Sequence, residues 1–280
     1  MNGTFGKSND KYSYVYDPKA FMKITINGQL LLAMLAEQLE KISTILQCNT
    51  DGITVRIKKV NVPRMNEMVK WWEDLTQLEM EDVNYKSMII RDVNNYMSIY
   101  TDGKTKCKGA FEIDKVMKGE TQYHKDHSMR IVPLAVSRYF TDGIPIKDTI
   151  ENHLTNGDYY NGKVKNHGVF DYCIAKKTKG GVKGTPKMIL KDFTGGVVHE
   201  TTLQKINRYY ISNKGGHLVK RYDNGSEGQL ESHPKKGRYY KINIFNDYVE
   251  QDDYDIDYNY YIREANKIIN SIVDFNYSLF

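Results

Sequence analysis

Apolar positions change rhythm several times along the first eighty residues. From Phe21 to Leu46 the residues Ile26, Leu30, Ala33, Met34, Leu35, Leu39, Ile42 and Ile45 recur at helical spacing without a proline, predicting a long buried helix whose weak point is Gly28. Just before it, Lys11 to Tyr16 alternates with period two and ends at Asp17-Pro18, which predicts a short strand closed by a turn. Two β-prone runs, Ile45 to Asn49 and Ile53 to Ile57, flank Thr50-Asp51-Gly52 and predict a hairpin with Asp51 at its tip. Pro63 to Leu78 is amphipathic, with Met65, Met68, Val69, Trp72 and Leu75 on one side and the proline in the first turn. Tyr85 to Ile90 and Tyr96 to Tyr100 read as strands, and Asp102-Gly103 as a second hairpin turn leading into Lys104 to Gly109. Beyond Gly109 the pattern predicts helices at Ile131 to Phe140, Ile146 to Leu154, Leu203 to Ser212 and Tyr261 to Val273. Segments 156–168, 176–187 and 213–238 read as loops, and no internal repeat is present. The first third is α+β.

Composition narrows the class. The chain has 280 residues, 40% hydrophobic and 27% charged, which fits a globular chain with one or two cores and excludes disordered and collagen-like classes. The longest apolar run, Leu30 to Ala36, is far shorter than the roughly 20 residues needed to cross a bilayer, and the first residues carry no secretory signal pattern. Neither a membrane protein nor a secreted precursor is expected. Cys48, Cys107 and Cys173 lack the paired spacing of a disulfide framework or zinc ribbon, so a reducing cytoplasm is expected. The net charge of +5 is unevenly distributed. Lys163 to Lys191 holds eight lysines and one acid, whereas Asp247 to Asp257 holds six acids and no base. The basic, glycine-interleaved stretch reads equally as a track for a phosphate backbone or as a solvated loop. The acidic run reads as a solvated loop.

Among chemical motifs, Gly3-Thr4-Phe5-Gly6-Lys7-Ser8 has the ending of a phosphate-binding loop but lacks its leading glycine and preceding strand. His124 and His127 with Cys107 lack a second ligand pair and read as surface residues. Asp51 is different: a carboxylate held on a rigid hairpin tip is a hard oxygen donor placed for Mg²⁺, against the plainer reading of a type I′ turn residue. Asp10 and Asp17, the nearest other carboxylates, sit where Asp serves local turn hydrogen bonds.

The order of elements around Asp51 resembles the C-terminal part of family B DNA polymerases, in particular the shorter replicative enzymes of bacteriophages. Asn2-Gly3-Thr4-Phe5-Gly6-Lys7 is similar to the end of the fingers motif Lys-x3-Asn-Ser-x-Tyr-Gly, with Gly3 for Ser and Phe5 for Tyr. Cys48-Asn49-Thr50-Asp51-Gly52 is similar to the palm motif Tyr-Gly-Asp-Thr-Asp-Ser, with Asn49 for the first Asp and Asp51 at the second, metal-ligating one. Asn94-Asn95-Tyr96 stands where the family has a basic-plus-Tyr motif near the primer terminus, and Lys106-x-Lys108-Gly109 resembles the Lys-x-Lys that contacts the primer backbone. Leu203 to Tyr210 resembles a thumb helix more loosely.

The resemblance implies an α+β fold: the end of the fingers motif and the C-terminal half of a palm in 1–90, with antiparallel hairpins and a long helix, then a mixed, largely helical thumb in 91–280. It implies nucleotidyl transfer with Mg²⁺, Asp51 as catalytic metal ligand, and DNA contacts from Asn2, Phe5, Gly6, Lys7, Thr50, Tyr96, Lys106 and Lys108. The partners are primer–template DNA and deoxynucleoside triphosphates. The family's first catalytic Asp and its triphosphate-binding Lys would precede Met1. A separate N-terminal polymerase polypeptide carrying these and an exonuclease is therefore implied, with little activity expected of this chain alone. A phage-encoded protein would act in the bacterial host cytoplasm. A non-catalytic DNA-binding remnant and an assembly protein remain alternatives, and for both Asp51 is only a turn residue.

Overall fold

The computed structural model describes residues 2–112, 128–154, 168–178, 184–231, 240–246 and 253–277. His124 and His127, residues 163–167 and 179–183 of the basic stretch and residues 247–252 of the acidic run lie outside them. The chain forms two compact units, Met1–Tyr85 and Lys86–Phe280, and is α+β with antiparallel sheets.

The first unit begins with a short helix, α1 (Asn2–Ser8), and the long α2 (Pro18–Leu39). Asp17 caps α2: its carboxylate accepts from the Ala20 amide at 2.9 Å, and Pro18 fills the first turn. The helix stops at Leu39, short of the expected Leu46, because Ser43, Ile45 and Gln47 enter β1 (Ser43–Cys48), which pairs with β2 (Ile53–Ile57). A run of Ile, Thr and Leu fits either period, and cross-strand pairing with Ile57, Arg56 and Val55 decides for the strand. A 3₁₀ turn, Lys59–Asn61, leads into α3 (Val62–Thr76), which ends on Gln77 at φ 58°. Leu35, Leu39 and Trp72 are the buried core, flanked by Leu31, Met34, Ile53, Val55, Met65 and Met68. Trp72 is 2% exposed and its Nε1 donates to the Leu31 carbonyl at 2.7 Å, locking α3 onto α2. Toward its start α2 leaves Met22, Ile24, Ile26 and Leu30 exposed. The expected strand at Lys11 to Tyr16 is instead a series of turns, because Asp10 and Ser13 bond neighbouring amides locally.

The second unit opens with a meander, β3 (Tyr85–Asp92), β4 (Asn95–Tyr100) and β5 (Thr105–Lys108), turning at Gly103 with φ 83° as Asp102-Gly103 predicts. Helices α4 (Ile131–Asp142), α5 (Ile146–Asn152) and α6 (Gly168–Tyr172) follow, with Gly143 at φ 69° ending α4. Strands β6 (Ile174–Lys177), β7 (Lys187–Lys191), β8 (Val197–Thr202), β9 (Ile206–Ser212), β10 (His217–Arg221), β11 (Glu227–Glu231) and β12 (Lys241–Ile244) form two sheets, ordered β11-β10-β7-β8 and β12-β9-β6. Helix α7 (Tyr258–Tyr277) closes the chain.

Three expectations fail here. The helix expected at Leu203 to Ser212 is strand β9: its consecutive Tyr209, Tyr210 and Ile211 are all buried, as in a central strand covered on both faces. The loop expected at 213–238 contains the β10–β11 hairpin, and β6 begins before the loop expected at 176–187. Sheet therefore makes up much of the part expected to be largely helical, while the α+β class holds.

An aromatic cluster centres this unit. The Tyr261 hydroxyl donates to the Tyr172 carbonyl at 2.8 Å and accepts from the Ile211 amide at 2.9 Å, joining α7, α6 and β9. Burial pushes its pKa well above the ordinary tyrosine value, so it stays neutral and able to do both. Tyr261→Phe leaves a buried amide and carbonyl unpaired and is expected to cost about 1–3 kcal/mol. Urea unfolding should show this as a lower midpoint at unchanged slope.

Candidate metal-ligand hairpin and nucleic-acid interface

Asp51 lies on the loop between Cys48 and Ile53, the last cross-strand pair of the hairpin. The Asn49 amide donates to the Gly52 carbonyl at 2.8 Å and closes this four-residue loop. Neither Asp51 nor Gly52 has positive φ, so the loop is not a type I′ turn. Thr50 and Asp51 are exposed, and among the described residues the Asp51 carboxylate takes no hydrogen-bond or ion-pair partner. The register shifts between Ile45 and Gln47, leaving Leu46 as a bulge residue. A bulge bends the strand and increases its twist, which sets where the tip points. No simple alternation count announces it. Through Ile53 and Val55 the hairpin is anchored on the Leu35, Leu39 and Trp72 core.

Asn2, Phe5, Gly6 and Lys7 lie on α1 in this same unit. Phe5 stacks on Phe21 of α2 with ring centroids 4.5 Å apart, Lys7 is exposed, and a side chain built at Gly6 would meet nothing within 4 Å. Asp10 and Asp17 are engaged as expected: Asp10 Oδ1 accepts from the Tyr12 amide at 3.0 Å and Asp17 caps α2.

Tyr96, Lys106 and Lys108 belong to the other unit. Tyr96 pairs directly with Lys108 and Ser98 with Lys106, so these four side chains share one face of the β4–β5 ribbon. Tyr96 is 7% exposed, whereas both lysines are exposed and have no acidic partner among the described residues. A clip that sequence reasoning missed holds their strand. The Asp92 carboxylate accepts from the Asn94 amide at 2.9 Å and from Asn95 Nδ2 at 2.8 Å, while Asn95 Oδ1 accepts from the Ala110 amide at 2.7 Å. The bond from Asn95 is the main reason the Asp92 carboxyl lies below its usual range. Gly109 stands at φ 60° where a Cβ would overlap the Asn95 side-chain oxygen and the Asn94 carbonyl. Asn95, read from sequence as a departure from a basic motif, thus fastens the β3–β4 turn to the end of β5. Its sequence signal is an Asp three residues before an Asn, with glycine after the second lysine.

A second missed group is the ion cluster formed by Arg130, His153 and Asp171. Arg130 donates to Asp171 Oδ1 at 3.0 Å, and His153 Nε2 lies 2.7 Å from Asp171 Oδ2. It joins the start of α4, the end of α5 and helix α6, a structural role.

The donor type at Asp51 suits Mg²⁺, a hard cation, but the donor number does not. Among the described residues no group of three or more His, Cys, Asp or Glu side chains is gathered. Among the described residues Asp51 is thus a single carboxylate and not a complete site.

No protein-family profile matches the chain. A curated relative, DNA polymerase 1 of Sulfolobus acidocaldarius, is 23% identical over 199 residues, covering 68% of this chain. The chain is similar to a DNA polymerase. It spans 22% of that relative's length, so the likeness concerns one part of a much longer protein. Among the described residues no helix is long and apolar enough to cross a membrane.

Proposed function

We propose that this chain is the C-terminal portion of a bacteriophage-type family B DNA polymerase, with residues 1–90 as the end of the fingers motif and part of the palm and residues 91–280 as the thumb. It works as one piece of a split DNA-directed DNA polymerase. The observation that carries this reading is the unengaged Asp51 carboxylate, exposed on a core-anchored hairpin after a long helix. The similarity of most of the chain to a DNA polymerase supports it.

The reaction joins the primer 3′-oxygen to the α-phosphorus of a deoxynucleoside triphosphate and releases pyrophosphate. Mg²⁺, when bound by Asp51 together with carboxylates of the N-terminal polypeptide, offsets the negative charge that develops on the phosphate oxygens. Asp51 brings one of those carboxylates to the reacting phosphates, with Thr50 beside it. Phe5, packed on Phe21, and Gly6, with open space above it, line the nascent base pair alongside Asn2 and Lys7. Lys106 and Lys108, on the ribbon face they share with Tyr96, grip the primer backbone.

Two features support a polypeptide partner. The β1–β2 sheet has only two strands, so both outer edges lack a neighbour among the described residues, and such hairpins are marginal alone. Helix α2 exposes Met22, Ile24, Ile26 and Leu30.

Primer extension with Mg²⁺ and deoxynucleotides, on this chain alone and with a polypeptide carrying the family's N-terminal polymerase and exonuclease region, tests the proposal. Extension only in the mixture is the expected result; extension by the isolated chain, or by neither, overturns the split enzyme. For the grip, Lys106→Ala and Lys108→Ala should each weaken duplex binding and reduce the slope of log affinity against log salt by about 1. Fluorescence anisotropy across a salt series measures this, and an unchanged slope would remove these lysines from the interface.

A further inference from the structure

The segment joining α1 to α2 is a closed loop. Its ends meet where the Asp17 amide donates to the Ser8 carbonyl at 2.9 Å. Inside, the Tyr12 amide donates to Asp10 Oδ1 at 3.0 Å, the Ser13 amide to the Asp10 carbonyl at 2.9 Å and the Tyr16 amide to the Ser13 carbonyl at 3.2 Å. The order of this loop thus comes from its backbone with Asp10 and Ser13, and the tyrosine rings contribute nothing to it. Tyr12 is 84% exposed and Tyr14 109%, so both rings stand in solvent.

Their electrostatic surroundings are basic. Lys11 Nζ lies 4.9 Å from the centroid of the Tyr12 ring, and Lys7, Lys19 and Lys23 are exposed around the loop. Asp10 and Asp17 keep their charges while they bond the turn and the helix cap, so the loop with its flanks holds four lysines against two acids. The two flat rings are interleaved with Ser13, flanked by lysines and followed by the half-exposed Val15 and Tyr16. They match a nucleic-acid single strand, in which every unpaired base offers a face for stacking and every phosphate a charge for lysine.

We propose that Tyr12 and Tyr14 form a stacking platform for unpaired bases of a DNA single strand, with Lys11 and its neighbouring lysines on the phosphates. The choice of DNA rests on the polymerase reading; the stacking itself requires no catalysis. Because hydrogen bonds already hold the loop, binding need not order it, and the rings are presented before the strand arrives.

The test compares the full chain with Tyr12→Ala/Tyr14→Ala and Tyr12→Phe/Tyr14→Phe double variants, binding a labelled oligothymidylate and a blunt DNA duplex by anisotropy. The alanine pair should lose roughly fivefold to a hundredfold in single-strand affinity for each ring that stacks, while the phenylalanine pair stays near the parent. Blunt-duplex affinity and the thermal midpoint should not change, since neither ring packs against the fold. An alanine variant that binds the single strand as the parent does overturns the platform. So does an equal loss on the blunt duplex, or a parent chain that does not bind the single strand. Single-strand affinity that follows Tyr12 and Tyr14, alongside duplex affinity indifferent to Lys106 and Lys108, would sink the primer-grip reading and leave the platform standing.

Discussion

On the proposed split-polymerase reading, Asp51→Asn is expected to lower the primer-extension rate of the complemented enzyme by about a thousandfold or more, the kinetic equivalent of the several kcal/mol that a correctly held metal ion supplies. The substitution keeps the side chain's size and removes its charge. Because the carboxylate takes no partner among the described residues, the hairpin has no bond to lose, and the thermal midpoint should stay where it is. Duplex affinity should stay equal or rise slightly, since a negative charge facing phosphates is removed. Single-turnover extension with saturating partner polypeptide separates this chemical defect from poor assembly. A rate within tenfold of the parent would mean that Asp51 is only a loop residue, and the catalytic assignment would fall with it.

Trp72→Ala is expected to remove about 3–5 kcal/mol from the first unit, the usual result of emptying a buried tryptophan site. The effect is large here because, among the described residues, Leu35, Leu39 and Trp72 form the buried core cluster of this unit, and the indole also carries the bond to the Leu31 carbonyl. A domain whose whole stability is about 5–15 kcal/mol, and a small unit below that range, has little to spare. Amide hydrogen exchange should then show α2 and α3 losing protection while β9 and α7 keep theirs, because the second unit has its own core. Trp72→Phe, which keeps most of the volume and loses the hydrogen bond, should fall between the two. Unchanged protection in α3 of the alanine variant would show that the helices are held by something other than this side chain.

The parts of the fold legible in the sequence are those where one local signal has no competitor. Pro63 opening an amphipathic run and Asp102-Gly103 between two strands each appear where expected. Asp51 was equally legible at the tip of its hairpin, because β-prone runs on either side of an Asp-Gly leave few other arrangements. The failures share a cause. Leu203 to Ser212 and the end of the α2 run mix apolar and polar residues in patterns that suit helix and strand alike, and tertiary pairing with β12 and β6, or with β2, selects the strand. Lys11 to Tyr16 failed in the opposite way: its alternation was real, but local bonds from Asp10 and Ser13 turned it into a loop.

The candidate site divides along the same line. The sequence by itself marked the candidates, a lone Asp in a hairpin motif and a Lys-x-Lys before glycine, since residue identity and short spacing are local properties of the chain. Only the tertiary structure decided which of them are available. It left Asp51 unengaged, set Lys106 and Lys108 on one exposed face beside a buried Tyr96, made Asn95 a clip and turned Tyr12 and Tyr14 outward. Exposure and hydrogen-bond partners depend on residues distant in sequence, as in the 15-residue separation between Asn95 and Ala110. The cost of burying a polar group, which no local pattern encodes, decides which side chains remain free to act.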